Sequence, residues 1–251
     1  MDQLRLIRHS FPDQPELGTA ISRTILRRVA AGELAPTVRI HRPGKEVAFG
    51  RQDVSNPGYE AAREAARAAG FAAVERLAGG RAAVFHHGTI AIARSYADPQ
   101  PPKRTYARFE EMADLITASL RELGVDARVG EVPGEYCPGA YSVNARGKTK
   151  LSGIGQRMIR GAAHMGGVVV ASGGEEIARV LVPVYEALGL DWDPTTSGSA
   201  SEELAREVDV GELEEALIAE LGKRYELVDS EIDDQTMRLA TESLEASAPR
   251  P

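Results

Sequence analysis

The chain has 251 residues, enough to bury a core of its own, with a formal charge of −7 at neutral pH and a pI near 5.4. That acidic balance argues against a phosphate-backbone partner, and no apolar run approaches the roughly 20 residues a membrane helix needs, so nucleic acid and membrane are both set aside. A single cysteine excludes an intramolecular disulfide and a multi-cysteine zinc site, and the amino end has no signal-peptide core, so the expected location is cytoplasmic.

Asp13 and Glu16 have capping-box spacing ahead of Leu17, Ile21, Ile25 and Val29, which predicts a first helix over about 14–30. Thr37 to His41 and Glu46 to Gly50 read as a β-hairpin turned by Pro43 and Gly44. An Ala-rich helix from Tyr59 to Ala69 stops at Gly70, and Phe71 to Arg76 forms a strand leading into Gly79-Gly80. Ala82 to His87 and Thr89 to Tyr96 are extended, and the proline-rich stretch from Asp98 to Thr105 is a loop. Tyr106 to Leu123 is a second strong helix closed by Gly124, followed by a strand around Val125 to Val132. Tyr141 to Ala145 and Lys150 to Ile159 pair about Arg146-Gly147, and Ala162 to Ser172 adds a third strand. From Glu175 the pattern is helical, ending in an acidic helix around Asp233 to Leu244, and the last six residues are expected to fray. Together these elements predict an α+β fold, a mainly antiparallel or mixed sheet flanked by helices, with a helical carboxyl-terminal segment.

Three segments carry chemistry. Arg76 precedes the Gly79-Gly80 pair, where backbone N–H groups approach a ligand closely, and Gly88 follows an apolar strand. Taken alone, such a pair also fits an ordinary turn. Cys137 sits in Glu135-Tyr-Cys-Pro-Gly-Ala-Tyr141, where Pro and Gly break a ladder and bring the thiol to an accessible loop; the other reading is a semi-buried structural cysteine. Nucleophilic use requires a nearby cation or base. Lys150 opens a strand that runs through Gly153 and Gly155 to Gln156, so something packs against that backbone; a solvated hairpin lysine is the alternative. His86, His87 and His164 lack metal-site spacing, and no metal is expected.

Together the segments resemble the superfamily of lipoate-protein ligase A, octanoyltransferases and biotin ligases. The match comprises Arg76, Gly79, Gly80 and Gly88, then Lys150, Gly153, Gln156 and Arg157, with Gly50-Arg51-Gln52 and Val38-Arg39-Ile40 upstream. It spans about residues 35–172. Tyr136-Cys137-Pro138-Gly139 followed by Gly147-Lys-Thr-Lys150 is similar to the cysteine-dependent octanoyl amidotransferase branch. Arg81 stands where the ATP-dependent ligases carry a third glycine, and Phe85-His86 stand at their His-Asp pair.

The resemblance implies a biotin/lipoate ligase-like catalytic domain over 1–195, with a helical extension over 196–251 packed on it. It implies transfer of an octanoyl or lipoyl group to or between carrier-protein lysines through a Cys137 thioester, with Lys150 as the basic partner and Arg76, Gly79, Gly80, Gly88, Gly153 and Gln156 binding the acyl substrate. Implied partners are glycine-cleavage H protein, the lipoyl domains of 2-oxoacid dehydrogenases and acyl carrier protein. No cofactor is expected; ATP and Mg enter only under the alternative, a lipoate/octanoate-protein ligase that forms an acyl-adenylate. A second alternative is a catalytically inactive lipoyl-carrier-binding protein. An apolar tunnel for the chain is expected along Val84, Ile90, Leu151 and Ile154.

Overall fold

The computed structural model describes residues 1–246. In chain order the elements are β1 (Gln3–Ile7), α1 (Pro15–Ala30), β2 (Thr37–His41), β3 (Glu46–Phe49), α2 (Arg51–Val54), α3 (Tyr59–Ala68), β4 (Ala72–Glu75), β5 (Ala83–Phe85), β6 (Thr89–Ala97) and α4 (Thr105–Glu122). They continue with β7 (Ala127–Val129), β8 (Val143–Ala145), β9 (Thr149–Ile159), β10 (Ala162–Val170), α5 (Gly174–Leu188), α6 (Ala200–Leu204), α7 (Val210–Gly222), β11 (Glu226–Asp229) and α8 (Asp234–Glu245). Eight strands form one sheet in the order β11-β1-β2-β6-β10-β9-β8-β7, and β4-β3-β5 form a second, smaller one. The large sheet is parallel across β11, β1 and β2 and antiparallel from β2 onward. The expected α+β architecture with a mixed sheet is what the chain adopts.

Alternation along the central strands separates two faces. Val38, Ile40, Ile90, Ile92, Met165 and Val169 pack with Met112, Ile116 and Leu120 of α4 and Leu213 and Leu217 of α7. The opposite face receives α1, whose Ile21, Ile25 and Val29 form a core with Ile7 and α8. Beside α1 on that face lies the small sheet, sealed by α3 and α5 through Phe49, Phe71, Ile177 and Leu181. Between α1, the small sheet and the large sheet runs a cavity.

Several expectations change. The segments 37–41 and 46–50 are not a hairpin: β2 pairs with β1 and β6 in the large sheet, while β3 pairs with β4 and β5 in the small one. β2 is buried on both faces, so it is taken up as a central strand, and Gly44 lets the crossing chain touch Pro12, whose carbonyl oxygen lies 1.9 Å from where a Cβ would stand. Helix α1 has Gln14 as its N-cap and Pro15 in its first turn, without the side-chain cap that Asp13 suggested. The parallel strands β1 and β11 were not anticipated; β11 brings the carboxyl-terminal segment into the large sheet beside the amino-terminal strand. The fraying expected for the last six residues falls, Ala246 apart, outside the described range. Among the described residues, no helix is long and apolar enough to cross a membrane.

Candidate active site

Cys137 is carried on the loop between β7 and β8, and a buried carboxylate shapes that loop. Glu135 accepts hydrogen bonds from the backbone N–H of Val132 (3.0 Å) and Gly139 (3.3 Å), from the Ser142 hydroxyl, and from Lys150 Nζ (2.9 Å). Tyr136, 1% exposed, stands edge-on to Trp192 beneath it. The backbone of Cys137 is left-handed, with φ +43°, a conformation a non-glycine residue holds only when its surroundings impose it. Here the constraint is Tyr185, whose hydroxyl accepts from the Cys137 N–H at 2.9 Å and donates to the Ala82 carbonyl at 3.0 Å.

The partly exposed thiol meets two donors, the Arg81 backbone N–H at 3.1 Å and Arg76 Nη2 at 3.4 Å. Burial alone raises a thiol; the charges of Arg76 and Lys150, with these two hydrogen bonds, outweigh it and hold Cys137 below its ordinary value of 9.0. Gly80 makes the approach possible. It has φ +107°, and a Cβ there would stand 2.1 Å from Arg76 Nη2 and 2.9 Å from Cys137 Sγ. The Arg81 side chain turns away to Asp53, 3.3 Å distant, and buried Asp53 also accepts from the Gly50 N–H, tying the glycine turn to α2.

Lys150 is fully buried and its Nζ donates to Glu135 Oε1 (2.9 Å), the Tyr136 carbonyl (2.9 Å) and the Cys137 carbonyl (2.7 Å). Three acceptors use the three protons of an ammonium. A β-bulge puts the side chain there. Val143 faces Ser152 while Asn144 faces Lys150, so Leu151 is an extra residue on β9. Regular alternation would aim Lys150 with Ser152 at the α4 side; the bulge returns it to the face of Gly153, where a Cβ would sit 3.3 Å from Lys150 Cε.

Cys137, Lys150, Arg76 and Gly153 all line the cavity, together with Leu77, Ala78, Ala91, Ala93, Ile154, Gly166 and Val168. The Gly79 N–H donates to the Gln156 carbonyl at 3.2 Å, fixing the glycine turn over β9. Two other expected binding residues lie elsewhere. Gln156 turns its side chain to Arg108 of α4 (2.8 Å), and the Gly88 N–H donates to His86 Nδ1 (3.0 Å) in a tight turn against Ser172. Of the expected tunnel residues only Ile154 lines the cavity; Ile90 and Leu151 belong to the α4–α7 core and Val84 to the small-sheet core. The unanticipated contributors are Glu135, Tyr185 and Asp53. Only Glu135 carried a local signal, as the acidic neighbour of the Tyr-Cys-Pro-Gly turn. Among the described residues no cluster of three His, Cys, Asp or Glu side chains is placed to hold a metal ion.

A thiol held below its ordinary value on the lining of a cavity, with N–H donors converging on it, has the chemistry of a nucleophile. Comparison with known proteins gives the family. The chain is 31% identical over 204 residues to the octanoyl-[GcvH]:protein N-octanoyltransferase of Anoxybacillus flavithermus, covering 77% of this chain and 73% of that protein. It is 29% identical over 208 residues to the enzyme of the same name from Geobacillus kaustophilus, covering 79% and 73%. In fold it is similar to a lipoate-protein ligase A crystallised with ATP (TM-score 0.77, 20% identity, 98% of this chain and 95% of that one). A bipartite lipoate protein ligase from Thermoplasma acidophilum is likewise similar (TM-score 0.74, 17% identity, 98% and 93%). The family model described as lipoyl protein ligase A/B catalytic domain matches residues 14–222, and the chain belongs to that family.

Proposed function

We propose that this acyltransferase of lipoate assembly moves an octanoyl group between carrier-protein lysines through a thioester on Cys137. The observation that carries the reading is the Cys137 thiol, lowered by Arg76 and Lys150 and held by two N–H donors on the lining of the cavity. The thiolate attacks the carbonyl carbon of an octanoyl-lysine amide, forming a C–S bond and a tetrahedral oxyanion. Collapse breaks the C–N bond, and the leaving amine takes up a proton. The neutral amine of an acceptor lysine then attacks the thioester, expels the thiolate and loses its proton. The reaction begins and ends with an amide, so no oxidant, nucleotide or metal enters the balance.

Arg76 and the Arg81 N–H are the donors nearest the reacting atoms and suit the developing oxyanion. The geometry of Lys150 supports the ammonium role rather than that of a base, because its Nζ donates to three acceptors and holds the Cys137 carbonyl in place. The curated relatives are named for transfer from octanoyl-[GcvH] to protein, which supports an octanoylated H protein as donor, and the Thermoplasma ligase of similar fold is described with its E2 lipoyl domain, which suggests a lipoyl domain as acceptor. A nucleophile that must stay reduced fits the cytoplasm.

The test is transfer without nucleotide: octanoylated H protein, or octanoyl-acyl carrier protein as the second donor, is incubated with an apo lipoyl domain and enzyme. The reading expects the octanoyl mass to move to the lipoyl domain and Cys137→Ala to abolish it. Modification that proceeds only with free octanoate and ATP, in Cys137→Ala as in wild type, would contradict it, as would carrier binding without any transfer.

A further inference from the structure

The segment Gly50-Arg51-Gln52, which stands out in the sequence, has no part in this chemistry. Its first residue and the residue after it have structural tasks. Gly50 packs on the glycine turn, where a Cβ would stand 1.7 Å from the Gly80 carbonyl oxygen, and its N–H donates to Asp53 Oδ2 at 2.9 Å. Fully buried Asp53 also holds Arg81 Nη1 at 3.3 Å. Arg51 and Gln52, the two residues between them, are exposed, and among the described residues neither side chain has a hydrogen-bond or ion-pair partner. They line an open pocket with Ser55, Asn56, Pro57 and Arg81. Two guanidinium groups thus meet one buried carboxylate, a local positive excess on a chain of formal charge −7.

The pocket lies close to the thiol. Arg81 belongs to both: its backbone N–H donates to Cys137 Sγ at 3.1 Å, and it lines the pocket. An arginine spans about 6 Å from Cα to its guanidinium carbon, so that group lies no more than about 11 Å from Sγ. Gly80, which touches Gly50 on one side and Sγ on the other, is itself exposed, as is Pro138 beside Cys137. We propose that the Arg51–Arg81 pocket binds a carboxylate of the carrier protein, within two residues of the lysine that gives or receives the acyl group. The inference rests on the reading of Cys137 as the acyl-carrying residue. A guanidinium takes a carboxylate through two parallel N–H bonds, and after Asp53 is counted the pocket keeps one positive charge, which a single carboxylate neutralises. The reach also agrees. A lysine side chain spans about 6 Å from Cα to Nζ, and two residues of extended chain about 7 Å, so a carboxylate at that spacing reaches the pocket while Nζ stands at the carbonyl carbon joined to Sγ.

The experiment gives each variant two octanoyl donors, octanoylated H protein and the N-acetylcysteamine thioester of octanoate, which has no carboxylate, and follows acylation of Cys137 by intact mass. The readout is the carrier-to-thioester rate ratio within each variant, in which a change of folding or of the thiol itself cancels. Arg51→Glu is expected to lower the ratio at least about tenfold, because it sets like charges against each other across the contact. Arg51→Lys, which keeps the charge, should stay within about threefold of wild type. In a second arm the carboxylates of H protein within two residues of the acyl-lysine are replaced by amides. That carrier should lower the wild-type ratio about two- to fivefold, and lower it less in Arg51→Gln than in wild type. An unchanged ratio in Arg51→Glu overturns the proposal. So does a loss in Arg51→Glu that the amide carrier does not reproduce on wild type, which would give the pocket to another anion such as a phosphate. Absence of any adduct with both donors overturns the reading of Cys137 itself, and the role of the pocket with it.

Discussion

Replacing Lys150 with methionine separates its structural from its chemical work. The substitution leaves the Glu135 carboxylate, whose side chain has no exposed surface, without its cation, and frees the Tyr136 and Cys137 carbonyls. Breaking a buried ion pair from one side costs about 3–5 kcal/mol. At about 2–4 °C per kcal/mol for a chain of this size, the melting temperature should fall by about 6–20 °C. Adding Glu135→Gln removes the stranded charge, so the double variant should recover much of that loss. Cysteine reactivity should not recover with it, because the positive charge that helps lower the thiol is still missing. The assay pairs thermal unfolding with the pH dependence of iodoacetamide alkylation at Cys137: both variants should show the alkylation midpoint moved to higher pH. A Lys150→Met protein as stable as wild type, or one whose alkylation profile is unmoved, would refute the account of Lys150 as a buried ammonium serving both loop and thiol.

Arg76→Met removes the nearer cation, and its alkylation midpoint should rise more than that of the Lys150 variants; equal or smaller movement contradicts the order of the two charges. In wild type, acyl transfer should increase as pH rises through the lowered Cys137 value, and the thiolate's contribution to stability, fully present above 9.0, is lost as pH falls through that value. Gly80→Ala combines a left-handed backbone with a clash against Arg76, and should cost about 1–3 kcal/mol in urea unfolding while slowing alkylation. Tyr185→Phe leaves the Cys137 N–H without its acceptor and should cost about 1–3 kcal/mol, a loss that an unchanged urea midpoint would disprove. His164 is held down to about 4 by burial and then by Arg39, whereas the unfolded imidazole titrates near 6.5. Stability should therefore fall by roughly 3 kcal/mol as pH drops from about 6.5 towards 4, and His164→Gln should remove that share of the acid sensitivity.

What the sequence disclosed depended on how local each signal is. Helices α1, α3, α4 and α5 announce themselves through apolar spacing, and they lie within a few residues of expectation. Cys137 and Lys150 stand out as candidates because Pro and Gly beside a thiol, and glycines after a lysine, are contiguous features, and the fold brings the two together on one cavity. The partners that shape the candidate site come from distant segments: Tyr185 on α5 holds the Cys137 N–H, and Asp53 on α2 holds Arg81. No spacing rule connects them. The tunnel lining was misjudged for a related reason. Hydrophobicity alone points to Ile90 rather than Ala91, but alternation sends Ile90 to the α4 face and leaves the small residue to the cavity. Leu151 was misplaced by a bulge that exists only in the pairing of β8 with β9. The supposed hairpin at 37–50 has strand character in both arms; only tertiary pairing assigns them to different sheets.

The central claim is that Cys137 carries the acyl group. Its most direct test is intact-mass measurement of the enzyme after incubation with octanoylated H protein, without nucleotide or acceptor, followed by hydroxylamine. The account predicts an octanoyl adduct on wild type that hydroxylamine removes and that Cys137→Ala never acquires. An adduct that forms equally on Cys137→Ala, or octanoyl transfer to an acceptor lysine in that variant at the wild-type rate, would contradict it.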